Sequence, residues 1–373
     1  MNTLYIDSFD FYYERLRVAE VQNCQGLVHG KVGVLLCLHS LFKITKENKY
    51  LDAMYEILNL LIEKFDNDFS LGYGISALTW ILELTEQKAL LGDQIDELDE
   101  IMEREFFLLI DKNNLDFYNG ALGILFYFSQ KVAYERLDIL ISCFENRVNL
   151  NIKTGDLYSS FREKDGSVST VINMGTPHGL TGILLMLLVL KEKGYTNLDY
   201  TIRKLSNLLL GYSAASNLRP FFPSTIRRNG QYTFGRIAWC YGDLMGAYAI
   251  LKTGILLNED QYIQIGYKML RSVSNGTDYL KSDLCLCHGH ASFAHIYQSA
   301  FHLTGKEEFL QLATNWQDRT KRLFEIKFTE YIQKQSSDKI FENPSLFIGF
   351  SGVFMSLLTW ETGEREWTKC LLI

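Results

Sequence analysis

Gly179-Leu-Thr-Gly182, running into Ile183-Leu-Leu-Met-Leu-Leu-Val-Leu190, is the stretch that decides the fold, because the chain writes its pattern seven times. The pattern is a glycine, a small residue three positions on, then an apolar stretch. It occurs as Gly30-Lys-Val-Gly33, Gly74-Ile-Ser-Ala77, Gly120-Ala-Leu-Gly123, Gly289-His-Ala-Ser292 and Gly349-Phe-Ser-Gly352. Gly242-Asp-Leu-Met-Gly246 is a looser copy, with its second glycine one step late. The leading glycines are 44, 46, 59, 63, 47 and 60 residues apart, a period that marks a repeat architecture.

Each unit has room for two helices. An apolar helix follows the glycine, as in Val32 to Phe42 or Leu180 to Lys191, and its all-round apolarity predicts burial. A polar turn such as Thr45-Lys-Glu-Asn48 or Thr304-Gly-Lys-Glu307 comes next, then an amphipathic helix such as Tyr50 to Lys64 or Glu308 to Phe324. Leu51, Met54, Ile57, Leu58 and Leu61 fall three and four apart, so one face turns inward. The glycine and its small partner share a helical face and let the buried helix start close to its neighbours. The units run roughly 22–66, 67–112, 113–150, 151–214, 215–275, 276–328 and 329–373. No distinct polar caps stand out at the two ends, as an open solenoid would need. The expected fold is therefore all-α: a closed α/α toroid of seven helical hairpins, seven inner and seven outer helices, forming one domain over residues 1–373. Its inner helices begin at one pole, where their partial positive charges converge and favour anions and thiolates. The longest connectors are Asn149 to Met174 and Asn217 to Ile237, with Gln231-Tyr-Thr-Phe234 as a candidate strand in the second.

Composition agrees with a globular chain. It is 47% hydrophobic and 22% charged over 373 residues, enough for a large core. Its four prolines all lie outside the helical patterns. A net charge of −7 argues against nucleic acid as a partner. The first residues lack the basic start and apolar run of a secretory signal. Ile183 to Leu190, the longest aliphatic run, falls far short of the ~20 residues of a membrane span. The seven scattered cysteines suit reduced thiols, some of them ligands, and a cytoplasmic location.

The chemistry gathers just before the glycines. His29, Tyr73, Asn119, His178, Tyr241, His288 and Ile348 immediately precede them, and Val28, Gly72, Tyr118, Pro177, Cys240, Cys287 and Phe347 stand one place earlier. Repeat geometry puts all of these at one pole. Cys240, Cys287 and His288 have the composition of a zinc site with three protein ligands and an open fourth position, the arrangement of catalytic zinc. The competing reading is two buried thiols and a capping histidine. Cys285 and His290 flank the cluster, but a turn residue and an inner-helix residue describe them better. His29 shares the layer without a role, and His39, His295 and His302 lie deeper in helices. All four are expected to be structural.

Trp239-Cys-Tyr-Gly242, Cys287-His-Gly289 and Gly175-Thr-Pro-His-Gly179, in this order and with the repeated glycine motifs, resemble the lanthionine synthetase C-like cyclases, the LanC family. The resemblance covers essentially the whole chain. It implies an α/α toroid with one zinc held by Cys240, Cys287 and His288. It also implies roles near the metal for His178, for Asp116 in Asp116-Phe-Tyr-Asn-Gly120, for Arg236 and for Tyr241. The chain carries only the cyclase repeats, so it looks like a stand-alone class I lantibiotic cyclase. Such enzymes add cysteine thiols of a dehydrated precursor peptide to its dehydroalanine or dehydrobutyrine residues, closing thioether rings. A lantibiotic dehydratase and an export transporter are the expected partners, and peripheral association with a membrane-bound complex follows on the same ground.

The chemistry suits these residues. A free thiol with a pKa of ~8.5 is mostly protonated at neutral pH, and zinc deprotonates it. The addition then leaves an enolate to be stabilised and protonated. His178 is the expected general acid, and the base that first takes the thiol proton, unless it is only a helix cap. Asp116 is expected to fix the tautomer or charge of His178, or else to be an ordinary helix-start acid. Arg236 either stabilises the enolate oxygen or belongs to a surface loop, and Tyr241 either hydrogen-bonds in the cluster or packs. Two other classes remain open. A zinc prenyltransferase-like enzyme shares the barrel and the thiol chemistry but needs a mixed Asp/Cys/His site. A zinc-stabilised scaffold or glutathione-binding module needs no catalytic residues.

Overall fold

The computed structural model describes residues 3–18, 25–63, 67–87, 91–92, 94–162, 166–213, 220–235, 237–274, 283–334 and 339–373. Among them, seven apolar helices form an inner ring: α2 (Val32–Thr45), α4 (Ile75–Leu84), α6 (Ala121–Gln130), α8 (Leu180–Glu192), α10 (Asp243–Leu257), α12 (His290–Thr304) and α14 (Phe350–Thr362). Each packs on the next in sequence order, and α14 packs back on α2, closing the toroid. In α6, every residue from Ala121 to Ser129 is buried, so the core runs through the inner helices themselves. No described helix is long and apolar enough to cross a membrane.

The amphipathic helices lie outside: α3 (Asn48–Ile62), α5 (Gln94–Asp111), α7 (Leu137–Thr154), α9 (Asp199–Gly211), α11 (Asp260–Ser274) and α13 (Glu307–Lys334). In α3 the buried residues are Tyr50, Ala53, Met54, Ile57, Leu58 and Leu61, while Leu51 lies at the edge of that face. The seventh outer position is filled from the other end of the chain. After α14 only a short 3-10 turn, Glu366–Leu371, follows. The N-terminal helix α1 (Thr3–Val18) takes the place outside α14. Its Phe9 packs on Phe354 at 4.8 Å between ring centroids and Tyr12 stacks on Phe350 at 4.0 Å. Phe11 meets Phe328 of α13, and Asp10 bonds Lys49 and Tyr50 of α3. The ring is therefore closed by joining the two ends of the chain.

The two long connectors add a small sheet to the helical ring. Strands β1 (Tyr158–Arg162), β2 (Val168–Asn173), β3 (Thr225–Arg227) and β4 (Tyr232–Thr233) pair antiparallel in the order β1-β2-β3-β4. The strand expected at residues 231–234 is β4, and the other three were not foreseen. β2 runs directly into Gly175-Thr-Pro-His178, and β4 lies shortly before Trp239-Cys-Tyr241 in the chain.

A circle of backbone hydrogen bonds ties the pole together. Leu27 donates to the Leu71 carbonyl, Gly72 to Tyr118, Phe117 to Pro177, Thr176 to Cys240, Cys240 to Cys287, Cys287 to Phe347, and Phe347 back to Leu27, all at 2.8–3.2 Å. Each repeat donates to the next, in one direction. Thr176 donates from the place before Pro177, as Phe117 does from the place before Tyr118.

The leading glycines have a steric cause. None of the inner helices has a side-chain N-cap. In α4, α6, α12 and α14 the loop carbonyl six residues before the glycine caps the helix instead, as Asp68 does for Ile75 at 2.8 Å and Asn343 for Phe350 at 2.8 Å. A Cβ on Gly74 or Gly349 would stand 1.9 or 2.1 Å from those carbonyl oxygens. The second glycine serves the same loop. A Cβ on Gly182 would meet the Thr176 carbonyl at 1.9 Å. The close approach is thus mainly to the helix's own entry loop and less to the neighbouring helix.

Candidate metal centre

The residue six before the glycine is Asp68, Asn114, Asn173, Asp283 or Asn343 in five of the repeats, and each side chain accepts the N–H two residues on, at 2.8–3.3 Å. These Asx turns fold the entry loops over the inner-helix starts.

Cys240 and Cys287 occupy neighbouring places in the backbone circle, and His288 follows Cys287. Their three potential ligand atoms lie within 4.8 Å of one another. Tetrahedral zinc, with sulfur at ~2.3 Å and imidazole nitrogen at ~2.0 Å, accepts such a set after small side-chain adjustments. Two soft sulfurs and one imidazole favour zinc chemically. The Cys240 sulfur beside it, then burial, push the Cys287 thiol well up. A cation held by both sulfurs would offset the charge of the thiolate ligands.

Asp283 organises the histidine, and sequence reasoning missed it. Its Oδ1 accepts the Cys285 N–H at 3.0 Å, its carbonyl caps α12 through His290 at 2.8 Å, and its Oδ2 lies 2.9 Å from His288 Nε2. With Nε2 so engaged, Nδ1 is the nitrogen available to a metal, the usual carboxylate–histidine–metal relay. Burial opposes charge on both partners, yet the pairing wins. His288 is pushed up to about 9 and Asp283 held down at about 2. The signal for Asp283 was in the sequence, as the acidic member of the periodic Asx position. Cys285, buried, groups with Asp283 and His288, their potential ligand atoms within 4.8 Å of one another. His290 turns away, with its ring 5.2 Å from Trp316.

The segment carrying His178 is fastened to the cysteine segment. Thr176 donates its N–H to the Cys240 carbonyl at 3.0 Å and its hydroxyl to the Trp239 carbonyl at 2.8 Å. Gly175 fits tightly here, since a Cβ would fall 2.5 Å from the Cys240 oxygen and 2.6 Å from the Tyr241 ring. His178 Nδ1 meets Asp116 Oδ2 at 2.6 Å, leaving Nε2 as its outward nitrogen. Asp116 is itself held, because its Oδ1 accepts the N–H groups of Tyr118 at 2.7 Å and Asn119 at 2.8 Å. The Tyr241 hydroxyl accepts a bond from Asn173 Nδ2 at 3.0 Å, and burial pushes its pKa well up. Arg236 lies outside the described residues. His29 is exposed and stacks on Tyr73 at 5.4 Å, and His295 is fully buried against Ser356. His39 and His302 keep to α2 and α12, where burial lowers both pKa values.

The structure thus gathers two sulfurs, two histidines and two carboxylates at one pole. A set like this can hold a soft cation, keep a thiolate and move a proton.

Comparison with known proteins covers the same span. A family model described as lanthionine synthetase C-like protein matches residues 22–372. The nisin biosynthesis protein NisC of Lactococcus lactis subsp. lactis is 26% identical over 251 residues, covering 58% of this chain and 58% of that protein. The match therefore spans little more than half the length of this curated relative. Among solved structures, a nisin cyclase superposes with a TM-score of 0.82 at 19% identity, over 100% of this chain and 98% of its own, which establishes the shared fold.

Proposed function

Since this chain belongs to the lanthionine synthetase C-like family, we propose that it is a zinc-dependent lantibiotic cyclase acting on a dehydrated precursor peptide. The observation that carries the reading is the meeting of Cys240, Cys287 and His288 with the Asp116–His178 pair at one pole. Cys240, Cys287 and His288 are the residues that would hold zinc, one ion per chain. When bound, zinc supplies a position where a peptide cysteine is kept as thiolate at neutral pH.

The protein's own residues account for the rest. The substrate sulfur adds to the β-carbon of a dehydroalanine or dehydrobutyrine. An S–C bond forms, the C=C π pair moves toward the carbonyl as an enolate, and the α-carbon takes a proton. His178 takes the thiol proton and returns one to the α-carbon through Nε2, so no net proton is consumed. Asp116 accepts from Nδ1, fixing the tautomer and stabilising the imidazolium between the two transfers. Tyr241 borders the site as a neutral hydrogen-bonding group. Arg236, in the segment leading to Cys240, is assigned to the developing enolate oxygen.

The whole chain acts as one catalytic unit in the cytoplasm. It works beside a dehydratase and an export transporter, in a complex that associates peripherally with the membrane. The test is incubation of the zinc-loaded protein with a dehydrated, cysteine-containing precursor peptide, followed by thiol alkylation and mass spectrometry. Ring closure leaves the peptide mass unchanged and removes alkylatable thiols. Retention of every thiol would reject the cyclase and leave a zinc-bearing scaffold.

A further inference from the structure

The inner helices all start at the pole of the candidate metal centre, so their last residues lie at the opposite end of the ring. There a pocket of about 310 Å³ opens between the later turns of α8, α10 and α12 and the 3-10 turn that follows α14. Its walls hold three cationic side chains, Lys252, Arg365 and Lys369, and two acidic ones, Glu192 and Glu366. Two of the cations are matched. Lys252, only 1% exposed, meets Glu192 Oε2 at 2.8 Å, and Lys369 pairs with Glu366. Arg365 is not matched. Among the described residues its one side-chain hydrogen bond runs from Nη2 to the Ser299 hydroxyl at 3.1 Å, and no carboxylate pairs with it. Its Nε is buried without an acceptor. A guanidinium keeps its charge in a protein and offers five N–H donors in a fixed fork, most of which is unused here. Shielding such a charge from water without a counter-ion is costly, and a bound anion offsets that cost.

The charge balance selects the anion. Lys252, Arg365 and Lys369 against Glu192 and Glu366 leave one surplus positive charge, that of Arg365. A planar, forked acceptor with a single negative charge matches it, which describes a carboxylate. A phosphate dianion overshoots that charge and meets the two glutamates. Tyr248 and Leu303 contribute apolar wall, and the volume lies at the small end of ligand pockets. We propose that this pocket is a second binding site, taking a small organic monocarboxylate whose carboxylate docks on Arg365 and whose short apolar tail lies against Tyr248 and Leu303. The site shares no residue with the candidate metal centre and stands or falls apart from the cyclase reading.

The experiment is calorimetric titration of the full, zinc-loaded chain with butyrate. One butyrate is expected to bind per chain, with a rise in melting temperature. Arg365→Gln should weaken binding about 10–100-fold, the worth of hydrogen bonds to a charged group. Lys369→Gln should weaken it and Glu366→Gln strengthen it, each about 2–5-fold. These two exposed positions, with effects of opposite sign, keep the test valid should Arg365→Gln misfold. Absence of binding to the wild type overturns the proposal. So does binding that ignores all three substitutions, as carboxylate capture at the metal centre would. The affinity for inorganic phosphate that depends on Arg365 should be lower than that for butyrate, and a higher one overturns the carboxylate assignment.

Discussion

Asp116 and His178 belong to different repeats, yet Asp116 Oδ2 and His178 Nδ1 stand 2.6 Å apart. The other Asp116 oxygen is bound to two backbone N–H groups, so the carboxylate cannot swing away without breaking its turn. His178→Ala should therefore keep its zinc while losing most of its ring-closing rate or its stereochemical control. Asp116→Asn, which keeps the turn and loses the charge, should slow cyclisation by roughly 10²–10⁴-fold. Thiol alkylation over time, alongside metal analysis, checks both. A His178→Ala enzyme with wild-type rate would remove the general-acid role.

Cys240→Ala and His288→Ala should each abolish bound zinc and cyclisation together, because two remaining ligands hold the ion poorly. Chelation of the wild type should do the same, reversibly on adding zinc back. Elemental analysis of purified protein reads the first effect and the alkylation assay the second. Full ring formation by a metal-free variant would refute the mechanism.

Asp283 both folds its loop and steadies His288. Asp283→Asn retains the turn to the Cys285 N–H but weakens the bond to His288 Nε2. Zinc affinity should fall about 10–100-fold with little change in melting temperature. Asp283→Ala removes the turn as well and should lower both. Chelator competition and thermal unfolding separate the two, and equal zinc affinity in Asp283→Asn and wild type would discount the carboxylate.

Gly242 alone among the N-caps of the inner helices has positive φ, +89° with ψ −162°, whereas Gly74, Gly120, Gly179, Gly289 and Gly349 are extended. That region is open essentially only to glycine. Gly242→Ala should cost about 1–3 kcal/mol of stability and displace Cys240 two residues upstream. Urea unfolding reads the stability and cobalt spectra the displacement. An unshifted midpoint would mean the backbone relaxes freely here.

His295 lies fully buried in α12, 3.0 Å from the Ser356 hydroxyl. Burial first, then Arg365, pushes its pKa down to about 3. The unfolded chain takes up this proton near pH 6.5. Between these values the unfolded state binds more protons, so stability is full above pH 6.5 and is lost as pH falls toward 3. The loss from this residue is about 2 kcal/mol at pH 5. Urea midpoints at pH 7 and 5 should converge in His295→Gln relative to wild type. An unchanged pH dependence in the variant would assign the acid sensitivity elsewhere.

The inner helices were legible because Gly179-Leu-Thr-Gly182 and its copies announce both a tight entry and an apolar run. The gathering of Cys240, Cys287 and His288 was legible because they keep a fixed offset from those glycines. Asp283 was overlooked although Asp68, Asn114, Asn173 and Asn343 repeat its offset, since Asp and Asn read as generic turn residues until their acceptors are known. α1 was left unassigned because its partner α14 lies at the far end of the sequence, and hydrophobic periodicity reports only local faces. β3, only Thr225–Arg227, carries too few alternations to register, while β1 and β2 lie inside the Asn149 to Met174 segment, which was read only as a connector.

The bond from Phe347 to the Leu27 carbonyl is the last of the circle to become available, since its two partners bracket the whole repeat array. A chain still emerging during synthesis can stack its early hairpins, but its pole stays open until the final inner helix arrives. Cys287 waits on the same event, because its own N–H is anchored on Phe347. Such end-to-end contacts form late, after the local ones have met their loop-closure cost. A product cut short after His288 would carry Cys240, Cys287 and His288 and still lack the Phe347 carbonyl that anchors Cys287. Assembly of the candidate metal centre thus depends on the last inner helix, α14, whose entry loop supplies the Phe347 carbonyl.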